Sequence, residues 1–314
     1  MRHILRPAFL SQSHEIEIDE SRFRELSAIS SRDWLYLGLE EKFAVLFSNF
    51  EEFEHQILAL SLSASLHLDL DWAKMSDARL QLTRRVVNLL TAARLYRDQV
   101  TGDLTRLQRA GAIACVDLPA LWDREASRSF GFRLVEELRN HFQHSSLPLD
   151  RIAYPSRNVG PAGSPLFSFG LELSLDAAPL LGDRRFDPQI ARQLKGLRAE
   201  ENDMILFVRQ YVEGLSRIHA DVRAAIDADA TACRIAIEAA RNEWGAVGGE
   251  VPMGLAVIKE AEDREWVEMA YVNLNASDRR LALVRSNRIM DNLSRHFVTS
   301  ARLPSPFPPI VRRA

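Results

Sequence analysis

The run Arg139-Asn140-His141-Phe142-Gln143-His144, followed by Ser145-Ser146-Leu147-Pro148, gathers the side chains best suited to chemistry in this sequence. A histidine titrates near neutrality and can give or take a proton. An arginine fork grips a phosphate or carboxylate and can hold the charge of a phosphorane. At ~100° per residue, Leu134, Val135, Leu138 and Phe142 form the core face of a helix, with Arg139 at its flank. Asn140 and His144 fall on nearly the opposite side, ~40° apart. They therefore face water or another chain. Asn140, one turn before His144, is placed to orient an imidazole or a ribose hydroxyl.

An arginine, a polar neighbour and a histidine a few residues on, near the end of a bundle helix, resemble the motif of HEPN ribonucleases. Arg139, Asn140 and His144 fit it at its shortest spacing. The Leu147-Pro148 exit is similar to that of bacterial HEPN-like proteins with an RN-x-x-QH-x-x-LP run. The resemblance implies an all-helical domain whose dimer lines one cleft with two motifs. It implies metal-independent RNA cleavage to a 2′,3′-cyclic phosphate, with Arg139, Asn140 and His144 as catalytic residues. RNA, a second copy of the chain, and an antitoxin or phage-defence partner are the implied partners; no cofactor is. In some HEPN toxins a tyrosine two residues after the histidine is modified by a nucleotidyltransferase antitoxin. Ser146 stands there, so that control is not implied.

Two other readings compete. Arg139 could pair with a carboxylate of a neighbouring helix, leaving Asn140 and His144 as contacts of a non-catalytic helical homo-oligomer. Alternatively, Glu137, His141 and His144 share one helical face, and Glu52-x-x-His55 lies on an earlier helix; carboxylate–histidine helices hold metals in such patterns. Arg84, Arg85, Arg94, Arg97, Arg106 and Arg109, with Arg279, Arg280, Arg285 and Arg288, read as solvated charged faces, since few aromatics accompany them for base stacking.

The elements that position the motif follow from apolar spacing. Tyr36, Leu39, Phe43, Leu46, Phe50, Phe53, Ile57 and Leu60 mark a helix over about 33–65, with Glu40, Glu41, Lys42, Glu51 and Glu52 largely off the seam. Leu82 to Val100 mark a second over 77–109. A third, over 119–146, contains Gly131, explained by a close crossing or a later start. Met204, Val208, Tyr211, Leu215, Ile218, Val222, Ala225, Ala228, Ala232, Ile235 and Ala239 form the seam of a helix of ~45 residues, about 67 Å long. Asp229 would break a strict heptad there, so a local change of winding is expected. Residues 150–165 have a loop composition, and 167–175 alternate as a strand. Asp187-Pro188 opens a short helix. Residues 254–259 and 265–273 read as strands, and a last helix spans 276–298. Because the strands are split across the sequence, they meet only if the long helix folds back.

The fold class is therefore mainly α: a bundle of long antiparallel helices with a small antiparallel β-sheet insertion. The chain divides into an N-terminal segment (1–32), the core carrying the motif (33–147), a β-containing insertion with a short helix (148–199), the long helix (200–245), a hairpin and C-terminal helix (246–302), and a proline-rich tail (303–314).

The 314 residues are 46% hydrophobic and 26% charged, with net charge −3. That balance excludes a strongly basic nucleic-acid coat, though not a local basic site. Nearly all the positive charge is arginine; Lys42, Lys74, Lys195 and Lys259 are the only lysines. Cys115 and Cys233 alone cannot build a disulfide framework or a four-thiolate zinc site, which points to a reducing cytoplasm. Residues 1–10 are too short and polar for a signal peptide, and no apolar run is long enough to span a membrane.

Overall fold

In the computed structural model, residues 1–8, 14–67, 71–142, 149–160, 163–248, 250 and 254–299 are described. Long helices dominate: α1 (Glu20–Leu66), α2 (Trp72–Arg109), α3 (Leu118–Arg128), α4 (Phe130–Phe142) and α7 (Met204–Gly248). The direction of each follows from its polar cross-links. Glu52 meets Arg85, Gln56 meets Gln81 and Lys42 meets Asp103, so α1 and α2 are antiparallel. Glu40 meets Arg223 while Glu54 meets Arg209, so α1 and α7 are antiparallel too. The predicted seams of the first two helices are buried from Tyr36 to Ile57 and from Leu82 to Val100.

Helix α1 starts well before the expected residue 33, with Asp19 accepting from Arg22 N at 2.7 Å. Its seam continues back through Ile29, Leu26 and Phe23. Two buried polar residues hide this from the sequence. Ser30 Oγ donates to Tyr271 O at 2.8 Å, and Asp33 accepts from Ser277 N and Oγ.

The expected third helix is two helices. Ser129 ends α3 and starts α4, its Oγ accepting from Phe132 N at 3.2 Å. Gly131 sits at the close crossing with α7, where a Cβ would reach Phe207 Cα at 3.0 Å and overlap Gln210. Gly214, on α7, faces the same crossing; a Cβ there would come within 2.6 Å of Phe132 Cε2. Gly214→Ala should therefore lower stability, because overpacking costs about 1–3 kcal/mol and outweighs the ~1 kcal/mol of helix propensity gained. A rise in thermal midpoint would refute the close crossing.

Helix α7 is continuous through Asp229. Its seam is as predicted to Val222, then passes through Ile226, Ala230, Cys233, Ile237, Ala240 and Trp244, while Ile235 is 60% exposed. The predicted Ala225–Ala239 stripe is thus turned away from the core. The rotation brings Asp229 to α1, where Tyr36 Oη and Arg32 Nε donate to it.

Among the described residues the expected single sheet is three. Strands β1 (Arg2–Pro7), β2 (Ile16–Ile18), β7 (Leu255–Glu260) and β8 (Trp266–Tyr271) form an antiparallel sheet in the order β2-β1-β7-β8. β7 is buried on both faces and needs a neighbour on each edge; the N-terminal segment supplies one, with Leu5 opposite Val257. Strands β3 (Leu149–Ala153), β4 (Ser156–Asn158), β5 (Phe167–Phe169) and β6 (Glu172–Leu175) build a separate hairpin arm from the stretch expected to be loop and one strand. Helices α5 (Ala177–Gly182) and α6 (Pro188–Lys195) follow it.

The last helix, α8 (Asn275–Ser286), is shorter than the expected 276–298. Beyond it the chain lies against α7, where Ser216 Oγ accepts from Met290 N and Glu213 from Ser294 N. The tail from Leu303 lies outside the described residues. No helix among those described is long and apolar enough to cross a membrane.

Candidate functional site

The motif occupies the last turns of α4. Phe132, Leu134, Val135 and Leu138 are buried, so the register of this helix is set by its apolar face. Glu136 is tied into the bundle, accepting from Tyr211 Oη and from Arg97 Nη1 at 3.1 Å. One turn later Arg139 is half-buried and Asn140 is exposed, as the helical wheel predicts.

Arg139 borders an open groove of about 360 Å³ between α2 and α4, walled by Val87, Leu90, Thr91, Arg94, Leu95, Asp98 and Phe142. Its Nη2 donates to Asn140 Oδ1, and its Nε is buried with no hydrogen-bond partner among the described residues. Asp98, on the far wall, is engaged by Arg94 at 2.6 Å. No ion pair between Arg139 and a carboxylate is formed among the described residues. Burial, helped by the charge of Asp187, pushes the Glu137 carboxyl up, against a hydrogen bond from Asn140.

His144, the expected proton carrier, lies outside the described residues, as do Gln143 and Ser145 to Pro148. His141 is buried and turned the other way. Its Nδ1 is 2.8 Å from Asp183 Oδ2, and its ring meets Phe186 edge-on. Backbone donation from Arg185, then the bond to His141, holds Asp183 down at about 2. This contact anchors the end of α4 to the segment between α5 and α6.

The proposed metal set is not assembled by the described part: His141 is committed to Asp183, and Glu52 pairs with Arg85. Among the described residues no group of three or more histidines, cysteines or carboxylates is disposed to hold a metal. Arg85, Arg94, Arg97 and Arg106 each meet a carboxylate. Arg280 is buried near Asp33, and Arg288 lies beyond α8. Arg280, read from the sequence as part of a solvated face, is thus interior.

The sequence reading missed a buried polar cluster. Glu40, predicted to lie largely off the seam, is fully buried between α1 and α7. It accepts from Arg223 Nε at 2.8 Å and Nη2 at 2.6 Å, and its Oε2 is 3.2 Å from His219 Nε2. On the other side of the ring, His219 Nδ1 is 2.9 Å from Tyr96 Oη of α2. Phe43 stacks on the imidazole at 4.0 Å. Glu40 looks like its solvated neighbour Glu41 in sequence; the only available signal was a histidine on the flank of the long seam.

Burial pushes the Glu40 carboxyl up, but the hydrogen bonds and charges of His219 and Arg223 outweigh it and hold it at about 2. Burial drives His219 below its ordinary 6.5, against the pull of Glu40. A histidine kept neutral in the fold takes up a proton on unfolding. Its contribution to stability is therefore complete above about pH 6.5 and declines as pH falls below it. Glu40 acts in the same direction lower down, its contribution fading between about 4.5 and 2. Urea midpoints across pH 4.5–7.5 should fall with acidity, and His219→Gln should flatten the upper part of that fall. An unchanged slope in the variant would show that His219 is not held neutral.

Compared with family models, curated proteins and solved structures, the chain matches none.

Proposed function

We propose that this protein is a HEPN-like, metal-independent endoribonuclease of a toxin or phage-defence type, acting in the cytoplasm as a homodimer. Its catalytic residues are Arg139, Asn140 and His144. The observation that carries the reading is the state of Arg139: a guanidinium beside an open groove, held by Asn140 and not neutralised by a carboxylate among the described residues. Its Nη1, which meets no acceptor among the described residues and is not buried, is open to an oxygen of a phosphodiester. Asn140 orients the guanidinium, and His144 moves the proton of the 2′-hydroxyl or of the leaving 5′-oxygen. A second protomer supplies the complementary acid or base.

The test is RNA cleavage by the purified full chain, with and without EDTA. Undiminished cleavage in EDTA, giving 2′,3′-cyclic ends, is expected. Absence of cleavage, or rates equal in wild type and His144→Ala, removes the enzyme.

The groove walls favour one alternative. Val87, Leu90, Leu95 and Phe142 are apolar, and Leu95 is 49% exposed, a surface suited to a non-catalytic helical contact between copies. Under that reading Leu95→Glu disrupts the oligomer and no RNA is cut.

A further inference from the structure

Trp72 opens α2 with 83% of its surface exposed, the most of any large hydrophobic residue among those described. It borders a shallow cavity of about 290 Å³ with Met75, Ser76 and Arg79 of α2 and Arg151 and Ile152 of β3. Arg151 also lines the neighbouring depression of about 670 Å³ over β3 and β6, which includes Arg157. The surface is thus continuous from the indole to the hairpin arm.

Arg79 and Arg151 are exposed and form no ion pair among the described residues. Arg157 is 3.6 Å from Glu172, with both side chains mostly in water, a weak pairing. Of the other acids on this surface, Asp71 accepts from Lys74 N and Asp203 from Ile205 N as helix caps, and Glu200 pairs with Arg198 at 3.2 Å. Positive charge beside an uncovered aromatic face suits an unpaired nucleic-acid strand. Every base has a π-face to stack on the indole, and the guanidinium groups take the phosphates.

The place of this surface in the fold connects it with α4. Trp72, Ser76, Arg79, Thr83 and Val87 recur every three or four residues, so they share one face of α2. Val87 also walls the Arg139 groove. From Trp72 to Arg94 this face runs about 33 Å.

We propose that Trp72, Arg79 and Arg151 form a binding platform for single-stranded RNA, from which the strand runs along α2 toward Arg139. The identification of the strand as RNA rests on the ribonuclease reading; the preference for unpaired bases rests on the indole. A duplex hides its base faces and cannot stack there. An acidic polypeptide would use the arginines but not the ring.

The test measures binding apart from cleavage. Fluorescence anisotropy of a labelled 20-nucleotide oligouridine is followed with the full chain carrying His144→Ala, so that substrate survives. Trp72→Ala in that background should weaken binding about tenfold, and Trp72→Phe should restore most of it. Arg79→Ala and Arg151→Ala should each weaken binding several-fold and lower the slope of log affinity against log salt by about 0.7. Circular dichroism checks that each variant is folded. Absence of binding, equal binding by Trp72→Ala, or equal binding of a duplex or of polyglutamate overturns the platform. Trp72-dependent binding without cleavage by the wild type keeps the platform and removes the nuclease. Cleavage with binding indifferent to Trp72 does the reverse.

Discussion

Glu40→Ala is expected to destabilise the fold by about 3–5 kcal/mol, the cost of breaking a buried ion pair from one side. The carboxylate is fully buried and takes both prongs of the Arg223 fork as well as His219 Nε2. Its removal leaves a guanidinium and an imidazole facing an apolar wall that includes Phe43. Arg223 is 14% exposed and can turn partly toward water, which places the loss toward the lower end. Against a typical total of about 5–15 kcal/mol, that is a large share of the stability. Urea denaturation would show it as a drop in midpoint with little change in slope. Adding Arg223→Ala should cost less than in the parent, because the pair is coupled. A loss below about 1 kcal/mol for Glu40→Ala would mean that the cluster is wetter than the structure has it.

The second large effect concerns activity. If the end of α4 cuts RNA, Arg139→Ala should slow cleavage about 10²–10³-fold, the usual consequence of removing one preorganised donor to a charged transition state. His144→Ala should slow it about 10²–10⁴-fold through loss of proton transfer. Arg139→Lys should recover only part, because an ammonium lacks the planar fork. Since Arg139 forms no ion pair among the described residues and lines an open groove, its removal should change stability by less than about 1 kcal/mol. Activity and folding therefore separate in this variant. Initial rates on a fluorescent RNA in EDTA, with melting curves alongside, give both readings. Equal rates in wild type and Arg139→Ala would remove Arg139 from the chemistry.

His141 and His144 show how far the motif could be read in advance. Spacing placed Asn140 outward and Arg139 at the flank, and both lie so. Spacing could not foresee that His141 would be held by Asp183, because that carboxylate arrives from a turn far along the chain. The surface that joins Trp72 to Arg151 was not legible in the sequence for a related reason. Trp72 precedes the expected start of its helix, and Arg151 falls in a stretch whose prolines and glycines read as loop.

The sequence by itself determined the long helices, the seams of the first two and the first half of the seam of α7; at Gly131 it left a close crossing and a later start open, and both occur. These are local properties: apolar side chains every three or four residues bury one stripe whatever the neighbour is. Only the tertiary structure decided that Glu40 is interior, that the seam of α7 turns toward Asp229 after Val222, and that β7 pairs with the N-terminal strand β1. Each of these depends on a partner far away in the chain. A buried carboxylate is tolerated only where a fork arrives to meet it, and a central strand only where another edge supplies its hydrogen bonds.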